Sequence, residues 1–377
     1  MASSAARSTE TRLTKVLHLI NGEHFSGAER VQDLLGLRLP EFGYQADFAC
    51  VKPGKFMTAR QATASRVIEL PMRRRFDLWQ ARRIAQIVRE EGYEILHAHT
   101  PRTALLAMTA VRVCQAKFVY HVHSPTSRDS TRRWRNWINQ QVESWAMTQA
   151  DRLIAVSGSL SRHLASLRVD SRKVRVVRNG VPPLAEIPPR ETPAGSWTLG
   201  CVALFRPRKG IEVLLQALAN LRNQGHEVRL RAVGPFETPQ YQREIESLSQ
   251  QLQLDEAVDW SGFTQDVNHE LSQMDLFVLP SLFGEGLPMV VLEAMAAGVP
   301  VVASDVEGVC EAIRPEIDGM LAAPADAGDL TQKILAIISG RVSWSALRAA
   351  AIERQRDAFS DRSMAAATAA VYDELVR

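Results

Sequence analysis

The sequence predicts an α/β protein built from two doubly wound parallel-sheet domains, and three observations lead there. Short β-rich runs alternate with longer amphipathic runs along most of the chain, the pattern of strand–helix–strand crossovers. A proline-rich break interrupts the alternation near the middle, and the alternation then restarts. The length of 377 residues suits two domains at ~100–200 residues each.

The elements follow in order. Lys15–Ile20 reads as a strand and Ala28–Leu39 as a helix, with Val31, Leu34, Leu35 and Leu39 near helical spacing. Ala46–Val51 is strand-like, Asp77–Glu91 helical, Ile95–Ala98 a strand, Thr103–Val113 a helix and Phe118–Val122 a strand. Arg132–Met147 reads as a helix, Leu153–Val156 as a strand, Ser159–Leu167 as a helix and Val174–Val177 as a strand. Pro182, Pro183, Pro188, Pro189 and Pro193, with Gly195 just after, have linker composition. Beyond them come strand Leu199–Leu204, helix Ile211–Leu221, strand Val228–Val233, helix Pro239–Leu252, strand Val258–Trp260, helix Val267–Ser272 and strand Leu276–Leu279. Helix Pro288–Ala297 and strand Val299–Ala303 follow, and the remainder from about Asp329 to Val376 is mostly helical. The expected domains are therefore residues 1–181 and 197–362, joined by a linker at 182–196. Two such domains leave a cleft, and ligands of these sheets bind beyond the carboxyl ends of the strands.

Composition narrows the function classes. Hydrophobic residues make up 46% and charged residues 23%, which excludes a mainly disordered chain, a collagen or a small disulfide scaffold. No window offers ~20 uninterrupted apolar residues, so no transmembrane helix is expected. The first fifteen residues hold no hydrophobic core of a signal peptide, and the four cysteines are dispersed without a C-x-x-C pair. A reducing cytoplasm is the expected location.

The net charge of +3 conceals an asymmetry: residues 1–180 carry +14 and residues 181–377 carry −11. A basic half should attract a phosphate-bearing acceptor, an acidic membrane surface or nucleic acid, unless the two halves simply attract each other. No known nucleic-acid motif appears, which weighs against the last of these partners.

Residues 275–304, DLFVLPSLFGEGLPMVVLEAMAAGVPVVAS, hold the most chemistry. A buried strand ends at Pro280, and the Gly-rich loop Phe283–Leu287 leads to Pro288, a residue suited to a first helical turn. Gly298 fits the helix stop. Glu293 is the only charge between Pro288 and Ser304, and a carboxylate among apolar neighbours is costly unless partnered. It is a core Glu paired to a nearby Arg, a Glu at an exposed edge, or a group presented to ligand hydroxyls. Glu285, eight residues earlier, is expected at the helix N-terminus, where free N–H groups and partial positive charge favour an anion. Carboxylates for hydroxyls beside a helix end for phosphate suit a sugar nucleotide.

These residues carry a resemblance. The E-x7-E pair Glu285 and Glu293 within FGEGLPMVVLEAMAAGVPVVAS resembles the signature of the retaining family 4 glycosyltransferases of GT-B fold. So do His18–Arg30 (HLINGEHFSGAER), Ala150–Ser157 (ADRLIAVS), Asn179-Gly180-Val181, Lys209-Gly210, Val258–Phe263 (VDWSGF) and Asp318-Gly319 with Pro324-Ala325-Asp326. Their order and spacing cover nearly the whole chain.

The resemblance implies roles. Glu293 should bind the nucleotide ribose and Glu285 the donor-sugar hydroxyls. The backbone of Gly286, Leu287 and Pro288 should approach sugar and diphosphate, Lys209 should neutralise the diphosphate, and Phe263 and Thr264 should lie near the base. Gly27 should allow close backbone approach, His123 should sit against the donor sugar, and the final helix, about 363–377, should return to the first domain. Three positions depart from the family pattern. Ser26 replaces the first glycine of the G-G-A-E loop, Pro182 follows N-G-V in place of aspartate, and Leu204 and Ala203 occupy the positions of the usual diphosphate arginine. Arg206 is the preferred substitute, with Arg208 as the other choice.

The pairs His97-x-His99 and His121-x-His123 at strand ends raise a metal-dependent hydrolase as an alternative class, which gives the E-x7-E half no role. The expectation is no metal and no cofactor, with a UDP-sugar favoured slightly over a GDP-sugar as substrate. On Arg132–Met147, Trp134, Trp137, Ile138, Gln141 and Trp145 recur at helical spacing, with Arg128, Arg132, Arg133 and Arg135 crowding its start and Arg73-Arg74-Arg75 elsewhere. These tryptophans either pack into the first domain or, if exposed, bring the protein to a lipid-linked or phosphorylated acceptor at an anionic membrane face. The expected function is retaining, metal-independent transfer of a sugar from a nucleotide sugar to a glycan or lipid-linked acceptor in polysaccharide or glycolipid synthesis. The alternatives are another GT-B enzyme, an epimerase or phosphorylase, and a non-catalytic sugar-nucleotide binder on a decayed fold.

Overall fold

The computed structural model describes residues 13–74, 77–124, 141, 143–167 and 169–376. Two parallel β-sheets with helices packed on them organise the chain. The first has seven strands: β1 (Thr14–Ile20), β2 (Tyr44–Cys50), β3 (Val67–Glu69), β4 (Ile95–Ala98), β5 (Lys117–Val122), β6 (Arg152–Ala155) and β7 (Val174–Val176), in the order β3-β2-β1-β4-β5-β6-β7. The second has six: β8 (Trp197–Val202), β9 (Val228–Val233), β10 (Val258–Gly262), β11 (Leu276–Leu279), β12 (Val301–Ser304) and β13 (Met320–Ala322), in the order β10-β9-β8-β11-β12-β13. Each order works outward from one central strand to an edge, then returns to the centre and works outward the other way. The reversals fall at β1/β4 and at β8/β11. Loops leaving two such strands diverge, which opens a crevice at the carboxyl end of the sheet.

The central strands read as unbroken apolar runs because both faces are covered. Val16, Leu17, Leu19 and Ile20 of β1 are fully buried, and so are Leu276, Phe277 and Val278 of β11. Most boundaries match the periodicity, and Ile95–Ala98, Val228–Val233 and Leu276–Leu279 coincide with it. The differences are short elements. β3 and β13 have three residues each and the helices Phe56–Ala59 and Val309–Ala312 four, too few to display a period.

Contacts divide the chain into two compact units, residues 1–121, 145–153 and 365–377 in one and 122–144 and 154–364 in the other. In the first unit the end of the last helix (Asp361–Val376) covers the sheet. The Tyr44 hydroxyl donates to Asp373 Oδ1 at 2.5 Å, and Arg152 Nε donates to Glu374 Oε2 at 2.8 Å. In the second unit a core of Trp197, Leu214, Leu218, Leu230, Ile334 and Trp344 fills the space between sheet and helices. Asp275 ties this core together. It accepts from Thr198 N at 2.8 Å and from Arg190 Nη2 at 2.5 Å, and its carbonyl accepts from Trp344 Nε1 at 2.8 Å. Arg190 thereby pins residues 182–196, which contain no helix or strand.

Among the described residues no helix is long and apolar enough to cross a membrane. Trp145 is half-exposed, with the Arg112 guanidinium 5.2 Å from its ring centre. Trp134, Trp137, Ile138, Arg75, Arg128, Arg132, Arg133 and Arg135 lie outside the described residues.

Candidate functional site

The switch point of the second sheet assembles the charged residues. The loop after β8 carries Arg206, Arg208 and Lys209, and the loop after β11 carries Ser281 and Glu285. A single 3-10 turn, Pro207–Lys209, carries Arg208 and Lys209, and it ends at Gly210 with φ +65°. A side chain at 210 would meet the Pro280 carbonyl at 2.1 Å, so only glycine lets the two loops touch. Leu282 N donates to Arg208 O at 2.8 Å and locks them side by side.

Glu285 is 6% exposed. Its Oε1 accepts from Lys209 Nζ at 2.5 Å and Ser281 Oγ at 2.7 Å, and Arg208 Nη1 lies 3.6 Å away. Burial pushes its carboxyl upward, but the Lys209 and Arg208 charges and the hydrogen bonds from Lys209 and Ser281 outweigh that. The net shift is downward, so Glu285 is an ionised acceptor at neutral pH. Arg208 also donates to the carbonyls of Gly284 at 3.2 Å and Phe283 at 3.4 Å. Arg206 turns elsewhere, toward Glu237 at 3.6 Å. The structure thus sets Arg208 beside Glu285 and Arg206 beside Glu237.

The helix after the loop spans Met289–Ala296 with Pro288 at its N-cap. Glu285 therefore sits in the loop three residues before the cap rather than in the helix's first turn. Glu293 lies on that helix and is 4% exposed, the one charge on an otherwise apolar element. The helix stops at Gly298, φ +66°. Leu287 is fixed by its carbonyl, which accepts from Asn179 Nδ2 at 2.8 Å. Gly286 packs on the His123 backbone, since a Cβ there would meet His123 O at 2.0 Å. His123 is thereby placed beside the loop, and burial lowers its imidazole to about 4, leaving it neutral. Phe263, 50% exposed, and Thr264 follow β10, and Thr264 Oγ1 accepts from Asp266 N at 3.0 Å.

Gly27 opens helix Gly27–Arg38 in the other unit. There Glu29 turns back to accept from Ser26 Oγ at 2.6 Å and Ser26 N at 3.3 Å, so the serine that replaces a glycine takes part in the helix cap. The switch point of the first sheet gathers His18, His97 and His99, with candidate ligand atoms within 4.8 Å of one another. Strand register places His18 opposite His97. His18 Nδ1 and His99 Nε2 share a hydrogen bond at 2.9 Å, and the Tyr372 hydroxyl lies 2.5 Å from His97 Nδ1 and 3.4 Å from His18 Nε2. The group contains no carboxylate. His18 joins it unforeseen, because no H-x-H spacing marks it. Ser281, Arg208 as the partner of Glu285, and Asn179 as the anchor of Leu287 were likewise not assigned from the sequence; of these only Asn179 had a signal, its N-G-V motif.

A seven-stranded and a six-stranded parallel Rossmann-like sheet in one chain are the architecture of the GT-B fold. Residues 185–358 match the family model for glycosyl transferases group 1, and residues 25–183 match the model for glycosyltransferase family 4. Together they span most of the chain, which belongs to this glycosyltransferase family. The Escherichia coli protein WcaL, named a colanic acid biosynthesis glycosyltransferase, is 31% identical over 50% of this chain and 48% of its own length. The chain thus matches about half of that relative. Phosphatidyl-myo-inositol mannosyltransferase of Mycobacterium leprae is 26% identical over 73% of this chain and 72% of its own. The solved structure of Anabaena HepE in complex with UDP-glucose superposes with a TM-score of 0.84 at 21% identity, covering 96% of this chain and 100% of that one. Sucrose-phosphate synthase from Thermosynechococcus elongatus gives 0.78 at 22% identity over 96% and 99%. These two likenesses establish the fold.

Proposed function

We propose that this chain transfers a sugar, with retention of its anomeric configuration, from a nucleotide sugar to a glycan or lipid-linked acceptor. The observation that carries it is the ionised, buried Glu285 held by Lys209, Arg208 and Ser281 at the β8/β11 switch point. A buried acceptor of this kind suits sugar hydroxyls, and the adjoining cations suit a diphosphate whose charge grows as it departs. Glu293 binds the ribose, Lys209 and an arginine bind the diphosphate, and Phe263 and Thr264 lie toward the base. The neutral imidazole of His123 hydrogen-bonds the donor sugar. In the proposed reaction the bond from the anomeric carbon to the phosphate oxygen breaks. The acceptor oxygen bonds to that carbon on the same face, and its proton passes to the departing phosphate. The relatives named for colanic acid biosynthesis and as a phosphatidyl-myo-inositol mannosyltransferase make such an acceptor the leading choice, and HepE's complex with UDP-glucose supports a UDP-sugar as donor. Contact of the basic first domain with an anionic membrane face belongs to the same proposal.

Calorimetric titration with UDP-, GDP- and ADP-sugars, with and without EDTA, tests the donor site, with Glu293→Ala as control. Binding of one nucleotide class, weakened in the variant and indifferent to EDTA, is expected. Product analysis with that donor then reads the anomeric configuration. Absence of binding to every donor overturns the proposal, and binding without nucleotide release or transfer points to a decayed transferase.

A further inference from the structure

The loop that carries Glu285 is held from a second side by a residue outside the E-x7-E segment. Glu307 lies on the turn after β12 and is half-buried. Its Oε2 accepts from Gly284 N at 2.8 Å and, more weakly, from Glu285 N at 3.4 Å. The next residue returns the contact, with Gly308 N donating to Glu285 O at 3.0 Å. The approach is close enough that a Cβ on Gly308 would stand 1.4 Å from Gly286 O. Glu307 itself has φ +20°, a conformation that L-residues seldom adopt, so the turn is bent to deliver this carboxylate. At the carbonyl of the same residue, Arg208 donates to Gly284 O. Gly284 is therefore gripped through its carbonyl by a cation and through its N–H by an anion, with φ +81°.

Resting on the assignment of Glu285 to the donor sugar, we propose that Glu307 is a positioning residue for Glu285. It touches no reacting atom. Its carboxylate fixes the backbone of Gly284 and Glu285, and that backbone sets where the Glu285 carboxylate stands against Lys209. A charge-assisted hydrogen bond to a backbone N–H is stronger than a neutral one, which is why an acid suits this turn. It also means that the N–H of Gly284 is committed to the protein, and the donor must take its hydrogen bonds elsewhere in the loop.

Three variants and two readouts test this. Glu307→Ala removes the acceptor, Glu307→Gln keeps a neutral acceptor of the same length, and Glu237→Gln alters an exposed acid next to Arg206 as a control. In steady-state transfer, kcat of Glu307→Ala is expected about 10²-fold lower, the scale of a catalytic group misplaced by ~1 Å. Affinity for the product nucleoside diphosphate should stay within about 3-fold, because Glu285 meets the sugar and not the nucleotide. Glu307→Gln should restore most of kcat. The second readout needs no activity: amide exchange of residues 281–288 in the ligand-free protein, followed by mass spectrometry. It should be about tenfold faster or more in Glu307→Ala, and near wild type in Glu307→Gln and Glu237→Gln. If wild type transfers no sugar, the transferase assignment fails, and the exchange data still decide whether Glu307 holds the loop. Unchanged exchange in Glu307→Ala overturns the proposal. So does a gain in donor affinity, which would show Glu307 competing with the donor, or a parallel loss of kcat, nucleotide affinity and thermal stability, which would show a general structural role.

Discussion

Lys209 Nζ lies 2.5 Å from Oε1 of Glu285, and both side chains are largely buried at the crevice of the second sheet. They are 76 residues apart and come from different loops. Burying two opposite charges costs several kcal/mol each unless geometry and further hydrogen bonds offset it. Ser281 and Arg208 supply that support.

Removing either partner should therefore damage function more than fold. Glu285→Ala and Lys209→Ala are each expected to lower turnover by at least ~10²-fold, the scale of losing one charge-stabilising group. In Lys209→Ala the Glu285 carboxyl also loses its largest opposing charge, so its pKa rises from the depressed native position. A depressed carboxylate is ionised above its folded pKa, and activity falls as pH drops through that value. The acid limb of kcat/KM should move to higher pH in Lys209→Ala. Near-normal turnover in either variant, measured with saturating donor, would refute the role given to it.

Gly308 should tolerate no side chain, for steric and not conformational reasons. Its φ of −82° suits any residue, but a methyl would overlap Gly286 O at 1.4 Å. Gly340 offers the opposite case, with φ +74° and no atom within 4 Å of an added Cβ. Gly308→Ala is expected to cost about 1–3 kcal/mol or more, as overpacking does, and to abolish transfer. Gly340→Ala should cost about 1 kcal/mol and leave transfer intact. Urea unfolding with a parallel assay separates the two, and equal losses of activity would count against the interlock of the two loops.

The fold was legible because parallel sheets write themselves into sequence. β1, β4 and β11 are buried on both faces, so each appears as a short, largely apolar run between turn residues, whereas β9 alternates apolar and arginine positions. Glu285 and Glu293 were legible because each is a lone charge in an apolar setting. Arg206 and Arg208 were not separable, because their directions depend on a 3-10 turn and on partners, Glu237 and Glu285, that lie far away in sequence. Glu307 was invisible for the same reason: its partners are the N–H groups of Gly284 and Glu285, and backbone groups carry no residue signal. His18 was read as an ordinary strand residue because only the β1/β4 register sets it opposite His97.

That register has a consequence for acid stability. His18 is fully buried, and desolvation lowers its pKa to about 3, while that of His123 falls to about 4. In the unfolded chain both should titrate near ~6.5. Between these limits the unfolded state binds protons that the native state refuses, so stability is complete above about 6.5 and declines as pH falls. Each histidine contributes a slope of roughly 1.4 kcal/mol per pH unit. Urea unfolding between pH 7.5 and 4.5 should show this decline, and His18→Asn should reduce the slope by about one histidine's share. An unchanged slope in that variant would mean that other groups govern acid unfolding.

Tyr372 should prove to be the buried polar clasp between the last helix and the first sheet, beside the Tyr44–Asp373 and Arg152–Glu374 contacts. Its hydroxyl is buried and lies 2.5 Å from His97 Nδ1 and 3.4 Å from His18 Nε2. Burial, reinforced by Tyr44, raises its pKa well above the ordinary value, so it keeps its proton and donates to one of the two rings. Its ring also meets the Tyr44 ring edge-on at 5.0 Å. Tyr372→Phe keeps the ring and removes the donor, so the cost should be that of depriving a buried ring nitrogen of a partner, about 1–3 kcal/mol. Tyr372→Leu also loses the aromatic contact and should cost more, by about 0.5–1.5 kcal/mol for the ring pair alone. A Tyr372→Phe protein as stable as wild type by urea unfolding at pH 7.5 would show that this hydrogen bond does not help to seat the helix.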